Sequence, residues 1–250
     1  MIGDSMLVLG LDLETTGRDV SKDQVIEVGA ILWDTDKGKP LKIFSEMVWY
    51  EDIWDGATST EEDIERLIHI SYDELCKYGK HPKAVFLGLK EVMETKGIAA
   101  VVAHNGLKFD KPLLLNNIKK WDVKLPDLPW IDTINDIPYD PSIDTRKLPH
   151  LAAEHGFINP FAHRAIFDVL TMLKIFQSYD TEWVIKMSKE PSVTLIAKTT
   201  PPWKDEGKSN AAAKARGFRW NGEAMAKVVR ESQVKAEKEN CPLEIKELSQ

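Results

Sequence analysis

Runs of apolar residues in the first half of the chain predict a set of buried strands. Residues 6–11 are nearly all apolar, which is typical of a central strand covered on both faces. Two further strands are predicted at residues 24–33 and 41–50, with the turn sequence DTDKGKP between them, so two consecutive hairpins are expected. The apolar run IAAVVA at residues 98–103 predicts another strand.

Helical periodicity follows the second hairpin. It extends over residues 61–96, with interruptions at HISYDE and GKHP. Further helices are predicted at residues 111–120, at residues 146–155 with Gly156 as the C-terminal stop, and at about residues 162–179. Strands followed by helices indicate a layered α/β domain.

The character of the sequence changes after about Pro191. The segment TTPPWKDEGKSN is typical of a linker or loop, and the region beyond it is rich in Lys, Arg and Ala. Residues 195–250 carry 11 basic and 8 acidic residues, a balance of +3, whereas residues 1–194 carry 22 and 32, a balance of −10. We therefore expect a main domain over residues 1–190 and a small basic module or tail over residues 191–250.

Composition narrows the class of protein. The 250 residues carry a net charge of −7, which argues against a protein that coats nucleic acid non-specifically but not against a small nucleic-acid active site. Cys76 and Cys241 are far apart in sequence and predict neither a disulfide framework nor a zinc ribbon. No secretion signal and no apolar stretch long enough to cross a bilayer is found. We therefore expect a soluble, cytoplasmic chain with no membrane partner.

Two acids at the end of the first strand raise the question of chemistry. In LDLETTG, Asp12 and Glu14 are two residues apart, so on a strand their carboxylates point from the same face. The two charges repel each other unless a divalent cation lies between them, and hard oxygen ligands suit Mg²⁺ or Mn²⁺. Alone, such a pair is weak evidence, because acids are common in turns and most of them are merely solvated.

Two later acids have competing interpretations. Asp110, in AHNGLKFDKPLLL, precedes a predicted helix, and the local sequence favours an N-cap. Asp168 falls on the apolar arc of its helix, between Met172 and Ile175, when residues are projected at 100° per step. A carboxylate that faces a core is costly unless it is paired, protonated or bound to a cation. His163 precedes this helix, and as a lone histidine it is more often structural than catalytic.

Together, LDLETTG, AHNGLKFD and HRAIFD resemble the three exonuclease motifs of the DEDDh (DnaQ-like) family of 3′–5′ exonucleases, which includes proofreading subunits, exonuclease X and ribonuclease T. The resemblance covers roughly residues 7–179. Its catalytic positions fall on Asp12, Glu14, Asp110, His163 and Asp168. A related subgroup has a tyrosine four residues before the last acid and is disfavoured, because that position is Arg164.

The resemblance implies a fold, a cofactor and an activity. The fold is ribonuclease H-like: a mixed central β-sheet flanked by α-helices, here with a small C-terminal appendage. Two Mg²⁺ or Mn²⁺ ions, about 3.5 to 4 Å apart, support an in-line phosphoryl displacement. Their ligands are Asp12, which bridges both ions, Glu14, Asp168 and, partly through water, Asp110. His163 takes the proton from the attacking water, and the expected reaction is hydrolysis of single-stranded DNA 3′ ends to 5′-mononucleotides.

Further correspondences concern the substrate. The resemblance implies that the terminal nucleotide is bordered by Thr15, Thr16, Gly17, His69, His104, Asn105 and Phe109. An ordinary exposed histidine explains His69 about as well, and Phe109 is equally explained as core. In the C-terminal module, KARGFRWNGE weakly resembles small basic modules of bacterial and phage exonucleases. There, Phe218 and Trp220 either form the module's own core or stack on bases.

Two other functions stay open from the sequence. A 3′–5′ exoribonuclease is not separated from a deoxyribonuclease, because no motif reads the 2′-hydroxyl unambiguously. A catalytically silent adaptor of the same fold, binding nucleic acid or protein, is disfavoured because none of the catalytic positions is substituted. The sequence names no protein partner.

Overall fold

The computed structural model describes residues 6–248 of the chain. These residues form two compact units, and each unit combines two stretches of sequence. The first unit comprises the chain through Ile134 together with Lys147–Thr181. The second unit comprises Asn135–Arg146 together with the chain from Glu182 onward.

A mixed five-stranded sheet forms the centre of the first unit. Its strands are β1 (Leu7–Thr15), β2 (Val25–Asp34), β3 (Lys39–Met47), β4 (Ile98–Ala103) and β5 (Trp130–Asp132). Their order is β3-β2-β1-β4-β5, in which β1, β2 and β3 form antiparallel hairpins and β4 and β5 run parallel to β1. Both predicted hairpins and the central position of the first strand are confirmed. β5 was not predicted from the sequence, because it has only 3 residues.

Within the described residues, six helices accompany this sheet: α1 (Glu61–Ile68), α2 (Tyr72–Tyr78), α3 (Pro82–Met93), α4 (Asp110–Lys119), α5 (Leu148–Glu154) and α6 (Ala165–Phe176). The predicted interruptions of the first helical stretch are confirmed. α1 ends at His69 in a left-handed conformation, Ser71 starts α2 with a capping box, and Pro82 lies in the first turn of α3. Gly156, with φ of 82°, follows α5 as expected.

Two glycines allow α6 to lie directly on β1 and β2. A Cβ atom at Gly10 would lie 2.7 Å from α6 side chains, and one at Gly29 would lie 2.5 Å from the backbone carbonyl carbon of Ala165. Gly29 is the cross-strand partner of Asp12. The start of α6, which carries Asp168 in its first turn, is therefore held over the part of the sheet that carries Asp12.

The second unit has its own antiparallel sheet. Its strands are β6 (Ser192–Ala197), β7 (Arg219–Trp220), β8 (Met225–Arg230) and β9 (Ile245–Glu247), in the order β7-β8-β6-β9. The remaining helices are α7 (Thr181–Ser188), α8 (Pro202–Asp205), α9 (Lys208–Ala215) and α10 (Val234–Asn240), with a 3₁₀ turn at Glu231–Gln233. No helix within residues 6–248 has the length and apolarity needed to cross a bilayer.

Of the module and the tail that the sequence left open, the second unit is a folded module, and its bounds differ from residues 191–250. Of the linker and the loop predicted for TTPPWKDEGKSN, the linker is wrong, because β6 before the segment already belongs to this unit and the segment itself contains α8 and the start of α9. The unit also begins at Glu182, earlier than the expected residue 191, and includes Asn135–Arg146. Arg230 joins these stretches, since its guanidinium donates to the Glu190 carbonyl and to the carboxylate of Asp136.

Candidate active site

Four carboxylates reach one site from three elements of the first unit. Asp12 and Glu14 lie on β1, Asp110 is the first residue of α4, and Asp168 lies in the first turn of α6. Ligand atoms of Glu14 and Asp168 lie within 4.8 Å of each other, and burial, followed by the charges of Asp110, Glu14 and Asp168, raises the pKa of Asp12. The acids that the three sequence motifs supply are therefore brought together by the fold.

These carboxylates are unfavourable as a group of anions. Burial, followed by the charges of neighbouring carboxylates, raises the pKa of Asp12 well above its usual range. Burial and then the charge of Asp168 raise the pKa of Glu14 to about 8. Burial raises the pKa of Asp110 to about 7, and the charge of Asp132 adds to this rise. A bound cation would favour the charged form of each carboxylate and so reverse these shifts.

The backbone N–H of His163 forms a hydrogen bond with the carboxylate of Asp168. The Asp168 carboxylate accepts hydrogen bonds from the Asn159 amide at 2.5 Å and from the backbone N–H of His163 at 3.1 Å. Burial raises the pKa of Asp168, and the hydrogen bond from His163 opposes this rise. As predicted, His163 lies just before α6, and its side chain is exposed. One ligand atom each from Glu14, His163 and Asp168 lie within 4.8 Å of one another.

The interpretation of Asp110 as an N-cap is wrong. α4 begins at Asp110 itself, the capping position belongs to Phe109, and no side-chain capping bond is found there among the described residues. The side chain of Asp110 is only 2 % exposed, and its Oδ1 atom has no hydrogen-bond partner within residues 6–248. A buried, unpaired carboxylate oxygen is costly. Its burial beside other acids fits a divalent cation.

The loop after β1 is fastened by its own hydroxyl groups. The Thr15 hydroxyl donates to the Gly17 carbonyl at 2.5 Å, and the Thr16 hydroxyl donates to Asp23 at 3.2 Å. Asp23 is buried and also accepts from the backbone N–H of Thr58 at 2.8 Å. The threonine side chains thus stabilise the loop internally, and the contact of Thr15, Thr16 and Gly17 with a nucleotide stays a prediction.

Three of the predicted site residues have a left-handed backbone. The φ values are 56° at His69, 66° at Asn105 and 63° at His163. This conformation costs a non-glycine residue on the order of 1 to 3 kcal/mol, and such residues cluster at functional sites. His69 is exposed at the end of α1, and it is not among the grouped ligand atoms found in the described residues.

Two other residues predicted to contact the nucleotide, His104 and Phe109, are less exposed than His69. His104 is partly buried, and its Nδ1 atom lies 2.8 Å from the Thr133 hydroxyl. Phe109 is partly buried and packs against the core of the first unit. This packing agrees with the core interpretation of Phe109, and its contact with the terminal nucleotide stays a prediction.

Two buried acids that were not predicted from the sequence border the site. Glu27, on β2, is 1 % exposed and is the cross-strand partner of Glu14. A charge inside the apolar run VIEVGAIL was the signal that could have identified it. Asp132, at the end of β5, is fully buried and accepts the backbone N–H of Asn105 at 3.0 Å. It had no comparable signal, because β5 itself was not predicted.

In the second unit, Phe218 and Trp220 differ in whether they belong to the core or are free to stack on bases. Phe218 is fully buried in the core of this unit, whereas Trp220 is 63 % exposed. Arg216 forms an ion pair with Glu237 at 3.2 Å, and the guanidinium of Arg219 donates to backbone carbonyls. The core interpretation therefore holds for Phe218, and Trp220 alone of this pair has a ring accessible for stacking.

The family comparison agrees with this geometry. The sequence matches the RNase_T family model, described as Exonuclease, over residues 9–176. The chain belongs to this exonuclease family, and its resemblance to the DEDDh 3′–5′ exonucleases is confirmed. The PolC-type DNA polymerase III of Ureaplasma parvum serovar 3 is 25% identical over 181 residues, which are 70% of this chain and 11% of that protein. The chain thus spans about a tenth of the length of this curated relative.

Solved structures show the same fold. The zinc-bound form of an E. coli ExoI–ssDNA complex matches with a TM-score of 0.58 and 13% identity, covering 80% of this chain and 50% of that chain. The nuclease domain of 3′hExo, a DEDDh family member bound to rAMP, matches with a TM-score of 0.55 and 15% identity, covering 72% and 94%. The predicted ribonuclease H-like fold is confirmed.

Proposed function

We propose that this exonuclease hydrolyses single-stranded DNA from its 3′ end to 5′-mononucleotides, using two divalent cations held by its carboxylates. The observation that carries the proposal is the convergence of four acids from β1, α4 and α6 in a setting that disfavours their charged forms. The buried, unpaired Oδ1 of Asp110 supports it independently.

The cations are Mg²⁺ or Mn²⁺, because the donor set consists mainly of carboxylate oxygens. Asp12, Glu14, Asp110 and Asp168 would hold them. When bound, two such ions stabilise the charge on the attacking and leaving oxygens of an in-line displacement and make water a better nucleophile. The zinc ion in the ExoI complex agrees with a divalent site in the same fold.

The protein's own groups position the substrate and move one proton. His163 accepts the proton of the attacking water at a ring nitrogen, since its exposed imidazole lies beside Asp168 while its backbone N–H fixes that carboxylate. The backbone of Thr15–Gly17 borders the terminal nucleotide, together with exposed His69 at the end of α1. His104 and Asn105 act mainly by holding the segment before α4.

We propose DNA rather than RNA as the substrate. The sequence relatives are DNA polymerases of the PolC type, and the ExoI structure contains single-stranded DNA. An exoribonuclease is the second candidate, because 3′hExo carries rAMP in the same fold. The intact acids and the family membership disfavour a silent adaptor.

The reaction is tested with 5′-end-labelled single-stranded DNA, duplex DNA and RNA, each incubated in parallel with the purified protein and Mg²⁺. We expect progressive shortening of the single-stranded DNA from its 3′ end and no activity after treatment with EDTA, because the carboxylates need a cation to act. Equal activity in EDTA or products of internal cleavage would contradict the proposal. Faster degradation of RNA would select the exoribonuclease.

We also propose that Trp220, in the second unit, stacks on a base of the bound single-stranded DNA, and this contact is tested separately. Trp220→Ala should raise the Kd for single-stranded DNA by roughly 5- to 150-fold, since stacking of one base on an aromatic ring contributes about 1 to 3 kcal/mol. The measurement is fluorescence anisotropy with a labelled oligonucleotide. Leu248→Ala is the matched control, because Leu248 is an exposed apolar residue of the same unit without an aromatic ring. Equal Kd values for wild type and Trp220→Ala would assign Trp220 no role in binding.

A further inference from the structure

An ion pair between buried Glu27 and partly exposed Arg164 lies beside the four carboxylates of the site. The Oε1 atom of Glu27 accepts hydrogen bonds from Nε of Arg164 at 3.1 Å and from Nη2 at 2.9 Å. Its other oxygen, Oε2, accepts the backbone N–H of Ala165 at 2.9 Å. The Glu27 side chain is 1% exposed and that of Arg164 is 32% exposed. Both carboxylate oxygens of Glu27 therefore accept hydrogen bonds from the residues at the start of α6, Arg164 and Ala165.

Arg164 and Ala165 lie in the chain between His163 and Asp168, two of the proposed catalytic residues. Arg164 directly follows His163, and Ala165 starts the helical turn that carries Asp168. β2 contacts the same segment a second time at Gly29, where an added Cβ would lie 2.5 Å from the backbone of Ala165. The strand thus fixes the start of α6 both by hydrogen bonds and by close packing.

The charge of the pair also concerns the site. Glu27 is the cross-strand partner of Glu14, so its carboxylate adds to the negative charge on this part of the sheet. The Arg164 guanidinium interacts with both Glu27 and Glu14. Loss of one partner of a buried pair leaves an uncompensated charge, which is more damaging than loss of both.

We propose that Glu27 and Arg164 are positioning residues, which hold the backbone of His163 and Asp168 against β1 and cancel the charge of Glu27 beside Glu14. The proposal rests on the proposed function, because its main readout is the rate of nucleotide release. The pair is not among the residues proposed to hold the cations or the nucleotide, so its effect should fall on kcat and leave the apparent affinity for DNA nearly unchanged.

The test compares wild type with Arg164→Gln, Glu27→Gln and the double variant in steady-state hydrolysis of single-stranded DNA with Mg²⁺. We expect Arg164→Gln to lower kcat at least about tenfold, with KM within about threefold. The double variant should recover at least about threefold of that loss, because the uncompensated carboxylate is gone and the glutamine oxygen can still accept the Ala165 N–H. If Arg164→Gln does not fold, Arg164→Lys replaces it, and its kcat should still fall by more than twofold, because lysine keeps the charge but cannot make both the Nε and the Nη2 hydrogen bonds to Glu27.

Gln177→Ala is the matched control for stability. Gln177 follows α6 at its other end, where its Oε1 accepts the Trp33 indole N–H at 2.8 Å, so it fastens the same helix to the same strand away from the site. We expect this variant to lose thermal stability with kcat within about twofold of wild type. If the arginine variant also keeps kcat within twofold, or if Gln177→Ala lowers kcat as much, the pair is only structural and the proposal is overturned.

Hydrogen exchange separates this proposal from the proposed function. Wild-type protein that releases no nucleotides would contradict the function and not the pair. In that case, the backbone amides of residues 163–168 should still exchange at least about tenfold faster in Arg164→Gln than in Gln177→Ala. Equal exchange rates would overturn the positioning role.

Discussion

Replacing Asp12 by asparagine should abolish nucleotide release and, without metal, make the protein more stable. Activity should fall by about 10³-fold or more, because the loss of a ligand removes several kcal/mol of charge stabilisation from the reaction. The melting temperature in EDTA at pH 8 should rise by about 2 to 4 °C if removal of one charge relieves about 1 kcal/mol of repulsion. Burial and the neighbouring acids raise the pKa of Asp12, which gives the direction of this change.

The pH dependence of stability gives the same prediction a second measurement. A carboxyl group whose pKa is raised in the folded state loses stability as pH rises from its unfolded value to its folded value. For Glu14, whose pKa is raised to about 8, this loss extends from about pH 4.5 to about pH 8. In EDTA, the melting temperature of wild type should therefore fall over this range, and that of Asp12→Asn should fall less.

Asp127→Asn is the control for Asp12→Asn, since Asp127 is an exposed acid on a loop of the same unit. It should leave both activity and stability unchanged. Addition of Mg²⁺ should raise the melting temperature of wild type and of the control, and much less that of Asp12→Asn. A metal-free Asp12→Asn protein that is less stable than wild type would show that the acids do not repel one another, and retained activity would contradict the role of Asp12 as a ligand.

The elements of this fold that could be predicted are those that produce a local pattern of apolar residues in the sequence. The continuous apolar runs gave β1, β2 and β4 because strands buried on both faces need such runs. The projection of α6 placed Asp168 on an apolar arc, between Met172 and Ile175, and in the structure Asp168 is partly buried. A carboxylate on such an arc requires a partner from elsewhere in the fold, and this requirement led from sequence to chemistry.

What could not be predicted depends on contacts between distant parts of the chain. Asp110 fits a helix N-cap locally, and only its burial beside β1 shows that it has another role. Asp136 and Arg230 form a buried ion pair within the second unit although they are 94 residues apart. Nothing in the sequence near Asp136 indicates that its segment leaves the main domain.

The structure sharpens the question of what His163 does. Its ring nitrogen, with one oxygen each of Glu14 and Asp168, belongs to a group of ligand atoms within 4.8 Å of one another. This spacing suits a metal ligand as well as a general base. The proposed role as a base predicts that the two functions separate on substitution, because a base contributes to the rate and not to the affinity for the cation.

His163→Ala should lower kcat by about 10² to 10⁴, the usual contribution of a positioned general base, with Mn²⁺ affinity in calorimetry within about twofold of wild type. The hydrogen bond to Asp168 should survive, because it comes from the backbone N–H of residue 163. His163→Asn should behave in the same way, and it guards against backbone strain, since asparagine tolerates the φ of 63° at this position better than alanine does.

His150→Ala is the matched control, because His150 is a partly exposed histidine of the same unit whose ring lies 3.4 Å from Glu154. It should change neither kcat nor Mn²⁺ affinity. A fall in Mn²⁺ affinity in both His163 variants would make His163 a ligand and leave the reaction without its proposed base. Near-normal kcat in both would make it a structural residue. Only a large loss of kcat with intact metal binding assigns the proton transfer to His163, because the carboxylates that bind the cation are unchanged in these variants.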